Sequence, residues 1–167
     1  SPSVFSQARQ RIMQPFEDIK ALGGKPIQIT PSVGKVADDI IATQGKMIPA
    51  ERDAALMELA QQAKMLAQNA GKIDGETYQL TRSGLSNQAW EASGTNKALY
   101  GKLLSALDDA AEQSLRSSGN TALAEALKVS RPQYKNLMTL EKGMVAQAGN
   151  VSPAKVAQAL RTANPAA

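Results

Sequence analysis

Between Pro49 and Gly71 the apolar residues Leu56, Leu59, Ala60, Ala63, Leu66, Ala67 and Ala70 recur every three or four positions. That spacing puts them on one side of an α-helix. A helix with one apolar side is marginal alone in water, so the chain must fold by packing helices against each other. The composition agrees with this. Apolar residues make up 43% of the chain but aromatic ones only 4%, so the core is built from Leu, Ile, Val, Met and much Ala. Alanine has the strongest intrinsic preference for helix, and Leu, Met, Gln, Lys and Glu follow closely.

The same periodicity and its punctuation run through the rest of the sequence. Val4, Ala8, Ile12, Met13, Phe16 and Ile19 predict a first helix that Pro15 kinks or splits and that Gly23-Gly24 ends. Residues 25–30 are expected to form an ordered connector too brief for a real sheet. Thr30-Pro31 is a cap followed by proline at the first helical position, and Val33, Val36, Ile40 and Ile41 continue a second helix to Gly45. Pro49 opens the third, with Glu51 and Asp53 in its first turn. Asp74 caps a fourth through Tyr78, Leu80, Leu85 and Trp90, weakened at Gly84, and Thr95 caps a fifth from Leu99 to Leu115 that stops at Gly119. Asn120 starts a sixth through Leu123, Leu127, Tyr134, Leu137, Met138, Met144 and Val145, bent at Pro132, and Ser152-Pro153 opens a short last helix with Val156 and Leu160. The expected fold is all-α, a bundle of roughly six or seven helices joined by short Gly/Pro loops. A length of 167 residues suits a single helical domain over 1–167. The Ser1-Pro2 start and the Asn164-Pro165-Ala166-Ala167 end lead us to expect a fragment of a longer protein.

Several chemistries lose their usual parts. The chain has no cysteine and no histidine, which removes disulfides, thiol nucleophiles, thiolate zinc sites and the commonest general base and zinc ligand. No window approaches the ~18 apolar residues of a membrane span, and no basic start leads into an apolar signal core. No cofactor, metal or catalytic residue is expected. The Gly71–Gly75 turn lacks the preceding strand and the glycine spacing of a phosphate-binding loop, so it is read as a helix–helix connection.

The charge distribution is uneven. From Lys128 onward the bases are Lys128, Arg131, Lys135, Lys142, Lys155 and Arg161, opposed by Glu141 alone, while the rest is close to balanced. Lys128, Arg131, Lys135 and Lys142 follow steps of three, four and seven and form one stripe on a continuous helix. Such a stripe can track the phosphates of double-stranded DNA with salt-dependent, sequence-independent affinity. The commoner reading is a solvated helix face. Asp108 and Glu112 lie one turn apart and could serve acid–base chemistry or a hard cation. The ordinary expectation is again a solvated face, with Glu112 pairing Arg116 four residues on. Asp38-Asp39 are expected at the surface. Tyr78, Trp90, Tyr100 and Tyr134 are read first as core fillers and second as stacking or interface residues.

Three stretches carry a resemblance. They are Gly75 to Leu85, with Tyr78, Arg82, Ser83 and Leu85 in step, the run from Arg131 through Tyr134, Leu137 and Leu140 to Lys142, and the run from Gly149 through Ser152-Pro153 and Val156 to Leu160. Together they resemble helical regions of tailed-bacteriophage and prophage virion proteins of the internal or DNA-ejection type, over about the C-terminal half. The resemblance implies a virion protein that assembles with itself or with other virion subunits, located in the virion or in the host cytoplasm during assembly, and released with or ahead of the genome. It transfers no functional residue, because these motifs define packing. Some ejection proteins also contain a lytic transglycosylase, but the Glu-Ser opening and Gly-Leu-Met-Gln segment of that family are missing here. The expectation is therefore a non-enzymatic module acting through self-association or partner docking. The alternatives are a helical nucleic-acid-binding or adaptor domain using the basic stripe and a fragment of a peptidoglycan-cleaving enzyme.

Overall fold

The computed structural model describes residues 3–144 and 152–165; of 142–144 it describes the backbone alone. Among the described residues it is an all-α bundle of seven helices with one two-stranded ribbon: α1 (Val4–Lys20), β1 (Ile27–Gln28), α2 (Pro31–Lys46), α3 (Ala54–Gln68), β2 (Lys72–Ile73), α4 (Gly75–Glu91), α5 (Gly94–Ser117), α6 (Thr121–Met144) and α7 (Pro153–Ala163). The side chains of Lys142 and Met144, and Val145 entirely, lie outside the described residues.

Short polar side chains start the helices by accepting the first unpaired amides. The Ser3 hydroxyl accepts from Ser6 N–H at 3.1 Å, Asp53 from Leu56 N–H at 3.0 Å, Asp74 from Thr77 N–H at 2.7 Å and Ser152 from Lys155 N–H at 3.2 Å. Pro49–Glu51 is a separate 3-10 turn, so the third helix begins at Ala54, later than Pro49 suggests. The fifth begins at Gly94 with Ser93 before it, not behind a Thr95 cap.

Neither internal proline splits its helix. α1 runs through Pro15 and α6 through Pro132. Each ring deprives the carbonyl four residues earlier of its donor, at Arg11 and Lys128, and both of those residues are exposed.

Within residues 25–30, Ile27 and Gln28 do pair, which the connector reading did not foresee. Ile27 lies opposite Ile73 and Gln28 opposite Lys72 in an antiparallel ribbon. Gln28 N–H donates to the buried Ser114 hydroxyl of α5 at 2.8 Å, so the ribbon is pinned to a helix rather than standing alone.

α5 is the hub and packs against α2, α4, α6 and β1; α2 packs along α3, and α1 lies on α4 and α6. α7 returns to sit on α3 and α4. Two close approaches require glycine. A Cβ at Gly75 would lie 2.0 Å from the Ile19 carbonyl, where α4 starts against the end of α1. A Cβ at Gly84 would lie 2.2 Å from Val156 Cγ2, so the residue read as a weak point of the fourth helix is the recess that seats α7. Phe16, Ile19, Ile27, Ile73, Tyr78, Leu85 and Leu115 are fully buried in one continuous core. Ala70, expected on the inner face of the third helix, lies beyond its end and is exposed at φ 48°.

Candidate functional site

Three helical stripes converge above this core. On α4 the residues Tyr78, Arg82, Ser86 and Trp90 follow at steps of four, so they climb one face from the interior to the surface. On α5 the matching stripe is Lys97, Gly101, Leu104 and Asp108, and on α6 it is Arg131, Lys135, Met138 and Thr139. Their upper parts enclose a cleft of about 580 Å³, within the range of roughly 300–1,000 Å³ found for ligand pockets.

The floor of the cleft is an ion-pair network centred on Asp108. Arg82 donates from Nε at 3.0 Å and from Nη2 at 2.8 Å to the two carboxylate oxygens, with both side chains 3% exposed. Tyr78 donates its hydroxyl to the same carboxylate at 2.6 Å. The guanidinium is held between aromatic rings, 4.3 Å from the Phe16 centroid and 4.5 Å from that of Tyr134, and these rings meet edge to face at 5.5 Å. Burial opposes the Arg82 charge, but the attraction of Asp108 and its hydrogen bonds outweigh that and raise the Arg82 pKa, so the guanidinium stays protonated. Burial, and then the Asp108 charge, push the Tyr78 hydroxyl well above its ordinary range.

Arg131 extends the network from α6. Its Nε lies 3.5 Å from Asp108, its Nη1 donates to Asp109 at 2.8 Å and to Glu112, and its Nη2 donates to the Ser105 carbonyl at 3.3 Å. Two buried atoms at the floor have no hydrogen-bond partner: Arg82 Nη1 and the Ser86 hydroxyl oxygen, in residues 3% and 7% exposed. At the rim, Lys97 donates to the Ala89 carbonyl at 2.9 Å and lies 5.7 Å over the ring of Trp90, which is 42% exposed.

The residues singled out from the sequence are distributed unevenly around this site. Lys128 is exposed on α6, Lys135 lines the cleft and Arg131 turns inward onto three carboxylates; the Lys142 side chain lies outside the described residues. The helix keeps its spacing through Pro132, yet the stripe is not four equivalent solvated cations. Asp108 is not on a solvated face but 2% exposed, and Glu112 meets Arg131, while Arg116 instead pairs with Glu125 at 2.7 Å. Tyr78 and Tyr100 are fully buried core residues, whereas Trp90 is not a core filler. Asp38 and Asp39 are exposed as expected, and Asp38 pairs with Lys64 at 2.8 Å.

Arg82 was the residue that sequence reasoning left without a role. Its signal was the four-residue step with Tyr78, Ser86 and Trp90, matched by an aspartate one turn from Leu104 on the inward side of α5. Among the described residues no three potential metal ligands come together, and no helix is long and apolar enough to cross a membrane. Comparison with protein-family models, curated proteins and solved structures gives no match.

Proposed function

We propose that this chain is a helical docking module that acts by binding, and that its setting is a tailed-bacteriophage or prophage virion protein of the internal or DNA-ejection type. The observation that carries the docking reading is the cleft between α4, α5 and α6, with a half-exposed Trp90 at its rim over a buried, ion-paired floor. Exposed aromatic residues beside such a recess are typical anchors of protein contacts. The setting is supported by the resemblance of the 75–85 and 131–142 stretches: of the residues drawn from these two, Tyr78, Arg82 and Arg131 meet Asp108, and Tyr134 lies against the Arg82 guanidinium.

Binding is favoured over acid–base chemistry because the carboxylates near the cleft are engaged. Asp108 accepts from Tyr78 and Arg82, and Asp109 and Glu112 are bound by Arg131. The DNA-binding alternative is weakened by the same contacts, since they neutralise one cation of the basic stripe.

Light scattering on the purified chain, over a concentration range and with or without a short DNA duplex at low and moderate salt, tests this reading. The expected result is a mass indifferent to the duplex. A mass that increases only with DNA and only at low salt would replace docking by nucleic-acid binding.

A further inference from the structure

We infer that the cleft receives an acidic amphipathic helix of a partner protein, its apolar side against α5 and its carboxylates between Lys97 and Lys135. This rests on the docking reading and names the occupant. Four observations carry it.

The first is length. α6 lines the cleft from Arg131 to Thr139, and eight steps of ~1.5 Å give about 12 Å, roughly two helical turns. The second is the α5 wall. Ala98, Gly101 and Ser105 lie at steps of three and four, all exposed, and a Cβ at Gly101 would meet nothing within 4 Å. A mid-helix glycine costs about 1 kcal/mol relative to alanine, and among the described residues no packing requires it. Bare backbone and small side chains are what allow a second helix axis to come close.

The third is charge. Of the cations lining the cleft, Arg82 and Arg131 are neutralised by carboxylates, whereas Lys97 and Lys135, on different walls, have no carboxylate partner among the described residues. A second copy of a chain with net charge +4 is a poor match for that rim. The fourth is the floor, where Arg82 Nη1 and the Ser86 hydroxyl are buried without a partner. An entering acceptor relieves both.

A nucleic acid fits less well. Bases need an open ring face, and Trp90 is overlain by Lys97 while Tyr134 carries Arg82.

Trp90 is the sole tryptophan, so its fluorescence reports on the cleft directly. The probes are a capped 14-residue helical peptide with leucine and alanine on one face flanked by glutamates, the same peptide with glutamine for glutamate, the same with lysine, and a single-stranded oligothymidine. The expected result is saturable binding of the glutamate peptide, about tenfold weaker for the glutamine peptide and weakened by salt. Binding should be lost in Gly101→Phe, whose circular dichroism stays that of the wild type, and the order of the charged peptides should reverse in Lys97→Glu/Lys135→Glu. If the glutamine or lysine peptide binds as tightly as the glutamate one and Gly101→Phe still abolishes it, the acidic occupant is wrong while the cleft remains a docking site. If the oligothymidine binds and no peptide does, or if nothing binds, the cleft as a protein-docking site falls as well.

Discussion

Arg82 is the residue on which the site turns, because its charge lies in the core and is balanced by a single carboxylate. Removing one partner of a buried ion pair strands the other, at a cost of about 3–5 kcal/mol, whereas replacing both by apolar residues of similar volume is often neutral. Arg82→Met should therefore lower the unfolding free energy by roughly that amount, and Arg82→Met/Asp108→Leu, made with Tyr78→Phe so that the hydroxyl donating to Asp108 is not stranded, should recover most of it. Urea denaturation followed by circular dichroism reads both. A combined variant as unstable as the single one would show that the stacking on Phe16 and Tyr134, not the ion pair, is what the fold needs there.

At the scale of the element, α3 and α5 end in the same way with different residues. Gly71 N–H reaches back to the Leu66 carbonyl at 2.7 Å, and Asn120 N–H to the Leu115 carbonyl at 2.7 Å. Both turns need a residue at positive φ just beyond the helix. α5 uses Gly119 at φ 85°, and α3 uses Ala70 at φ 48°. An alanine in that region is strained, so Ala70→Gly should raise stability by about 0.5–1 kcal/mol. The check is the shift of the urea midpoint at unchanged slope, and no shift would mean that the turn bears no strain.

Helix termini such as these show which parts of the fold were legible. The caps at Asp74 and Ser152 and the stripe from Leu56 to Leu66 are local patterns, readable within a few residues, and they hold. What sequence spacing does not show is a partner far along the chain. Asp108 was read as a surface residue because Arg82, 26 positions earlier, is invisible to a window of one helix. Likewise, Pro15 reads as a kink or split and Pro132 as a bend, and a local pattern does not show that both helices run on through them. The basic stripe had the right spacing on a continuous helix. It misjudged which cations face solvent, since Arg131 turns toward α5.

For the molecule as a whole, the buried phenols set a limit on the alkaline side. Burial and the adjacent Asp53, to which Tyr100 donates at 2.7 Å, raise the Tyr100 pKa, and Tyr78 is raised in the same sense. A folded value above the unfolded one contributes stability that is fully present below the unfolded value of about 10 and is lost as pH rises beyond it. The thermal midpoint should therefore fall above about pH 10. Tyr100→Phe should start lower, by about 1 kcal/mol for the lost hydrogen bond, and fall less steeply. An equal slope in the variant would remove Tyr100 from the account.

α7 is held by a fit of shape more than by bonds. Val156 enters the gap left by Gly84, while Ala157 and Leu160 are buried beside it and Asn164 donates to Gln62 at 2.8 Å. A knob in a single hole defines a register. Sliding α7 by one turn, about 5.4 Å, would bring either Ser152 or Leu160 to the recess, one a polar side chain and the other larger than valine. The Gly84 recess therefore acts as an index mark: it lets the last helix return across the bundle in one phase and rejects its neighbours a turn away.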